Sequence, residues 1–199
     1  MIKNVVFDLG QVLYRFEPMQ LVQGYVECEE DRELLAAVLF DRLYWDKLDS
    51  GEMENEEAIC LASKRLPERL HAAARRAFCD WIYNMPPIEK MHEVVTRVKK
   101  MGKKVYLLSN VSRYFAEHCR EFEIFSCFDG LVFSGVERLM KPERAIYERL
   151  VSLTGIVPEE TLFIDDNENN VKAAADFGIV AYRFDMDFEG LDAFLDKVL

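Results

Sequence analysis

Four short apolar runs in this chain lead into residues that can do chemistry. Val5-Val6-Phe7 stops at Asp8, Leu107-Leu108 at Ser109-Asn110, and Phe163-Ile164 at Asp165-Asp166. The run Leu131-Val132-Phe133 is followed by a loop that carries Lys141-Pro142. Three carboxylates brought together repel one another and call for a cation. An all-oxygen donor set with few protein groups suits Mg²⁺, which keeps several waters and takes phosphate oxygens from a substrate. A hydroxyl and an ammonium beside it can hold the remaining phosphoryl oxygens. An Asp carboxylate can attack phosphorus and form an acyl phosphate. Taken singly, each residue has a plainer reading: a strand-end turn for Asp8, a helix cap for Ser109 or for Asp165-Asp166-Asn167, a solvated lysine for Lys141. The chemistry follows only if all of them share one rim.

The elements must supply that rim. Ile2 to Phe7, Val105 to Leu108, Gly130 to Phe133, Thr161 to Ile164 and Ile179 to Tyr182 read as short buried strands. Between the later strands the 3.6-residue period recurs: Ile88 to Met101 with Met91, Val94, Val95 and Val98 on one face, Ser112 to Phe122, Pro142 to Thr154, and Asn169 to Phe177. Gly102, Gly155 and Gly178 close three of these helices. Strand-helix alternation with short connections predicts a doubly wound, parallel, Rossmann-like α/β sheet, whose ligands bind outside the carboxyl ends of the strands. The segment after the first strand differs. From Phe16 to Met85 apolar residues recur at spacings of three and four, with breaks at Pro18, Gly51 and Pro67 and no strand-like alternation. The expected organisation is an α/β core over residues 1–15 and 86–199, with an all-helical insertion over 16–85 that leaves the first strand at its rim end.

FDLGQVL at the start, LLSN in the middle, KPERAIY later and FIDDNENN near the end stand in that order, each at a predicted strand end or helix start. With them the sequence resembles the haloacid dehalogenase-like hydrolase superfamily, and within it the helical-cap sugar-phosphate phosphatases. The segment LDSGEMENEEA is similar to a short cap signature of that branch. The resemblance implies that Asp8 is the nucleophile and a Mg²⁺ ligand, that the Gly10 carbonyl also binds Mg²⁺, and that Asp166 binds it directly and Asp165 directly or through water. It implies that Ser109 and Asn110 bind the phosphoryl group and that Lys141 neutralises the nucleophile and the developing charge. One departure stands out. The family's usual second Asp, two residues after the nucleophile and acting as general acid and base, is Gly10 here. A positioned proton donor is worth ~10²–10⁴-fold, so the loss calls for a good leaving group, for water, or for a cap carboxylate in the Glu52, Glu54, Glu56 region. Dehalogenation of a 2-haloacid, phosphoryl transfer between sugar positions, and non-catalytic binding of a phosphate ligand are the competing readings.

The composition narrows the partners. The chain has 199 residues with 36 acids against 25 bases, a net charge of −11. That balance opposes nucleic acid and anionic membrane surfaces, while a small phosphorylated substrate remains compatible with local positive charge. No apolar run is long enough to span a bilayer. Five scattered cysteines without a C-x-x-C pair read as reduced core thiols of a cytoplasmic protein, a monomer or small homo-oligomer. Histidines 71, 92 and 118 lack metal-ligand spacing. Asp165, Asn167 and Asn169 mimic the start of a Ca²⁺ loop, but Asn170 stands where that loop needs glycine. Tyr44, Trp45, Trp81 and Tyr83 are expected mostly in the core of the helical insertion, and the acid-rich stretch from Asp49 to Glu57 as a solvated loop and helix start.

Overall fold

The computed structural model describes residues 1–199. Its strands are β1 (Asn4–Phe7), β2 (Lys104–Ser109), β3 (Gly130–Phe133), β4 (Thr161–Asp165) and β5 (Val180–Arg183). They form one sheet in the order β3-β2-β1-β4-β5, and every pairing is parallel. Val5 pairs with Val105 on one side and Leu162 on the other, so β1 lies at the centre and the strand order reverses across it. In an open α/β sheet that reversal opens a crevice at the carboxyl ends of the strands.

Five helices follow β1: α1 (Pro18–Leu21), α2 (Glu29–Leu39), α3 (Arg42–Asp49), α4 (Asn55–Ser63) and α5 (His71–Asp80). The others are α6 (Glu89–Lys100), α7 (Arg113–His118), α8 (Ser134–Glu137), α9 (Arg144–Thr154), α10 (Glu168–Phe177) and α11 (Phe188–Val198). The strands alternate between two apolar layers, as a two-residue side-chain period requires. Val5, Phe7, Val105, Leu107, Leu162 and Ile164 pack with Met91, Val94, Val95 and Val98 of α6 and Leu191 and Leu195 of α11. Val6, Leu108 and Phe163 face the opposite way, onto Ile146, Tyr147 and Leu150 of α9 and Ala174 of α10. Both faces are therefore covered, which is why these strands are near-continuous apolar runs.

Helices α2 to α5 bury a third apolar cluster of their own, built on Leu35, Leu39, Ala58, Ile59, Ala62, Ala74, Ala77 and Phe78. Two adjacent chain segments join this helical unit to the sheet. The Arg15 amide donates to the Pro86 carbonyl at 2.8 Å and the Ile88 amide to the Leu13 carbonyl at 2.8 Å. A second docking point lies further out. Gly51, just past α3, has φ +73°, and a Cβ placed there would come 2.3 Å from the Gly135 carbonyl in α8. Ser134 Oγ donates to the Asp49 carbonyl at 2.5 Å across the same joint.

The structure departs from the sequence expectations in several places. The helix expected from Pro142 starts at Arg144, after a turn in which the Glu143 amide donates to the Met140 carbonyl. The helix expected over Ser112 to Phe122 is α7 followed by two turns of 3₁₀ helix, which bring Phe125 under the sheet. Pro18 opens α1 as its first residue instead of breaking a helix, a place where its missing N–H costs nothing. The cysteines are free, but only Cys119 is buried; Cys28 and Cys60 are exposed. Helix α11, unforeseen in the sequence, packs Leu191 and Leu195 on the sheet face that α6 covers.

Candidate active site

The central strand delivers Asp8 to the rim. Its amide donates to the Ile164 carbonyl at 2.9 Å, continuing the β1–β4 ladder one residue past the strand. The chain then doubles back in a tight loop. The Leu9 carbonyl accepts from the amides of Leu13 (2.8 Å) and Tyr14 (3.0 Å), and Gln11 adopts a left-handed φ of 55°. In this loop the Gly10 carbonyl accepts no backbone hydrogen bond, and a Cβ built on Gly10 meets nothing within 4 Å.

Lys141 is the hub. Its side chain is 1% exposed, and Nζ lies 2.7 Å from Asp8 Oδ1 and 2.7 Å from Asp165 Oδ2. The same ammonium donates to the Leu108 carbonyl at 3.0 Å, so its three donors each have a partner. Burial alone would lower the Lys141 pKa, but the carboxylates of Asp8 and Asp165 outweigh it and hold the ammonium charged. The backbone of Lys141 is fixed by a reciprocal pair with Asn110: Lys141 N donates to Asn110 Oδ1 and Asn110 Nδ2 donates to the Lys141 carbonyl, both at 2.8 Å. Asn110 thus spends its side-chain amide on positioning Lys141.

The two aspartates at the end of β4 divide their tasks. Asp165 is fully buried, and besides Lys141 it accepts from the Asn167 amide at 2.8 Å and from Asn170 Nδ2 at 3.2 and 3.1 Å. Asp166, half-buried at the cavity edge, makes no side-chain hydrogen bond or ion pair within the protein. Burial raises the Asp166 carboxyl above the ordinary range, and the neighbouring Asp165 charge adds to the rise. Burial likewise pushes Asp8 up to about 7; Lys141 opposes that shift and Asp165 reinforces it. One carboxylate oxygen from each of Asp8, Asp165 and Asp166 lies within 4.8 Å of the others. One buried ammonium among three clustered carboxylates leaves negative charge that a hard divalent cation would offset. Asp8, Asp166 and the Gly10 carbonyl have free oxygens for it, whereas the oxygens of Asp165 are largely committed.

These groups open into a cavity of about 410 Å³ lined by Asp8, Gly10, Ser109, Asn110, Lys141 and Asp166 from the sheet. The sequence-derived site residues thus converge on one rim, with Asp165 directly beneath it. Ser109, the last residue of β2, lines the cavity and makes no side-chain hydrogen bond within the protein. The helical unit contributes Phe40, Arg42, Trp45, Asp46, Asp49 and Trp81 to the same wall. Of the four aromatics singled out from the sequence, Trp45 and Trp81 reach the cavity, their ring centroids 5.2 Å apart. Tyr44 is buried inside the helical unit, and Tyr83 is half exposed, donating to Glu121 at 3.0 Å. Glu52, Glu54 and Glu56 are exposed and do not line the cavity; Glu54 pairs with Arg113 and Glu56 with Arg75. Asp49 is the carboxylate that turns inward.

A haloacid dehalogenase-like hydrolase family model matches residues 2–178. The chain belongs to that family. Its relatives include a sesquiterpene phosphatase of Aspergillus oryzae, 25% identical over 181 residues, 89% of this chain and 87% of that protein. A phosphorylated carbohydrates phosphatase of Thermotoga maritima is 27% identical over 177 residues, covering 88% and 81% of the two chains. Among solved structures, a haloacid dehalogenase family enzyme of Bacteroides thetaiotaomicron, in complex with magnesium and inorganic phosphate, superposes with a TM-score of 0.73 at 23% identity over 96% of this chain and 99% of that one. The fold of this family member is therefore the Rossmann-like one, with its carboxylate cluster at the crevice beside β1.

Proposed function

We propose that this hydrolase is a Mg²⁺-dependent phosphatase that cleaves a small phosphomonoester, a sugar phosphate, through an aspartyl-phosphate on Asp8. The observation that carries the reading is the buried Lys141 bridging Asp8 and Asp165 at 2.7 Å each, beside an uncommitted Asp166 and the free Ser109 hydroxyl. A lysine so tied holds Asp8 in place and answers the charge that builds on the phosphoryl oxygens in the transition state. Ser109 would donate to one of those oxygens, with the Asn110 backbone beside it. Asp8, Asp166 and the Gly10 carbonyl would hold the metal, with Asp165 supporting from behind. Bound there, Mg²⁺ would neutralise the carboxylates and the phosphate enough for one anion to attack another. Asp8 then attacks phosphorus, the leaving oxygen departs, and water releases phosphate from Asp8.

The rest of the cavity supports the substrate class. The half-buried Trp45 suits the C–H face of a sugar ring, and Arg42 and Asp46 offer hydroxyl partners. The phosphatase names of the Aspergillus and Thermotoga relatives, and the phosphate and magnesium bound to the Bacteroides neighbour, point the same way. In this reading residues 16–85 form a cap that closes over the crevice, excludes water and selects the leaving group. A cytoplasmic site fits the free cysteines, and no helix is long and apolar enough to cross a membrane.

The test is phosphate release from a panel of sugar phosphates, nucleotides, phospho-acids and a prenyl phosphate, with Mg²⁺ and with chelator. Release that needs Mg²⁺ and is lost in Asp8→Asn is the expected result. No release from any substrate sinks the proposal. Chloride release from a 2-haloacid that is indifferent to chelator would replace it with dehalogenation, which uses the same nucleophile without a metal.

A further inference from the structure

The phosphoryl group has its nucleophile, its lysine and its hydroxyl, but the leaving oxygen still needs a proton. The titratable side chains lining the cavity are Asp8, Arg42, Asp46, Asp49, Lys141 and Asp166; no His, Glu, Tyr or Cys is among them. Asp8 attacks, Lys141 is held between two carboxylates, and Asp166 faces the cation position. Asp46 is exposed and paired with Arg42 at 3.2 Å. That leaves Asp49. Resting on the phosphatase reading above, we infer that Asp49 is the catalytic acid and base of this site, supplied by the helical unit in place of a side chain at Gly10.

Three observations converge on it. Asp49 is half-buried, and its carboxylate accepts no hydrogen bond and joins no ion pair, although it faces a cavity shared with Asp8 and Lys141. A carboxyl so placed stands ready for a partner that comes and goes. Its backbone is anything but loose. Ser134 Oγ donates to the Asp49 carbonyl at 2.5 Å while accepting from the Val111 amide at 2.9 Å, which ties the end of α3 to the loops that follow β2 and β3. Gly51, two residues on, lies against the Gly135 backbone so closely that no side chain fits. The backbone that carries the carboxyl is therefore tied to the segments that follow two strands of the sheet. Burial, with the charges of Asp46 and Asp8, also raises the Asp49 carboxyl well above the ordinary carboxylate range, the direction an acid needs.

The step balances. As an Asp8 oxygen bonds to phosphorus, the bond from phosphorus to the leaving oxygen breaks, and that oxygen takes the Asp49 proton with its electron pair. Asp49, now a carboxylate, removes a proton from water as the water oxygen attacks phosphorus. The bond to Asp8 breaks, phosphate leaves, and Asp49 is protonated again.

The experiment compares p-nitrophenyl phosphate, whose phenolate leaves without help, with hexose phosphates, whose alkoxide does not. Asp49→Asn keeps the shape and removes the proton. It should retain a burst of one p-nitrophenolate per active site within about 10-fold of the parent rate, while hexose phosphate turnover falls ~10²–10⁴-fold. Gly10→Asp has open space for its side chain. In the Asp49→Asn background it should restore hexose phosphate turnover at least about 10-fold. Parent-like hexose phosphate turnover in Asp49→Asn overturns the inference, and so does equal loss of burst and turnover, which marks a merely structural residue. If Asp49→Asn does not fold, Asp49→Ser is read in its place by the same burst and turnover, and the same two results overturn the inference. A parent inactive on every phosphate removes the phosphatase reading and the inference together, whereas an active parent indifferent to Asp49→Asn removes the inference alone.

Discussion

Replacing Lys141 by Met tests the electrostatic reasoning at its centre. The substitution keeps an unbranched chain of similar length and deletes only the charge and its donors. In the structure that ammonium touches two carboxylates at 2.7 Å and a backbone carbonyl at 3.0 Å, and its side chain is 1% exposed. Asp165, fully buried, cannot turn to water when its partner is lost. Removing one partner of a buried pair costs about 3–5 kcal/mol, because the remaining charge stays desolvated. For a chain of this length each kcal/mol lowers the melting temperature by about 2–4 °C, so Lys141→Met should melt about 6–20 °C below the parent. The assay is thermal or urea unfolding in chelator, so that no metal replaces the lost charge. A second variant shows the source of the loss. Asp165→Asn added to Lys141→Met should regain part of the lost stability, a coupling of about 1–3 kcal/mol. Phosphate release should fall at least ~10²-fold in both, as for other lost transition-state donors. A surface lysine would cost less than about 0.5 kcal/mol. A Lys141→Met melting temperature within a few degrees of the parent, or a double variant weaker than the single by the full cost of each change, would refute the argument.

Three further outcomes follow from the structure. Mg²⁺ at about 100 times its Kd should raise stability by about 2.7 kcal/mol, and Asp166→Asn should abolish most of that gain in a thermal shift assay while melting like the parent in chelator. Asp129 is subject to burial that raises its carboxyl, but donors from Lys99, the Val105 amide and Lys104 prevail and hold it at about 2. A depressed carboxyl stabilises above its unfolded value, so Asp129→Asn should cost about 1–2 kcal/mol at pH 7, with the difference fading as pH falls from about 4 to about 2; a pH-independent gap would contradict the assignment. Gly51→Ala would press its Cβ 2.3 Å from the Gly135 carbonyl at a φ of +73°, so its urea midpoint should drop by the equivalent of about 1–3 kcal/mol.

Much of this site can be read from sequence because strands end where their apolar pattern ends. Asp8, Ser109 and Asp165-Asp166 each break a run that is buried on both faces, and a parallel sheet puts all such breaks on one edge. Lys141 is harder to place by its own run, since α8 intervenes after β3; its position comes from the Asn110 pair, a contact across 31 residues that no local pattern announces. Asp49 was hidden for a related reason. It sits in an acid-rich stretch that reads as solvated, and the contacts that hold this stretch against the sheet come from Ser134 and Gly135, which lie far along the chain. The division of labour between Asp165 and Asp166 is likewise decided by Lys141, Asn167 and Asn170, and two identical adjacent letters cannot express it.

The central place of β1 has a consequence for how the chain is made. Asn4–Phe7 is made before the other four strands, but its two neighbours are Lys104–Ser109 and Thr161–Asp165. The first strand therefore has no partner until half the chain is synthesised, and one open edge until most of it is. Pairings of such long sequence separation close slowly and leave an apolar strand exposed in the meantime. A nascent chain stalled before residue 161 would hold β1 and β2 but lack Asp165 and Asp166, with an unsatisfied edge where β4 belongs. This order predicts strong chaperone dependence during synthesis and makes catalytic competence one of the last properties the growing chain acquires.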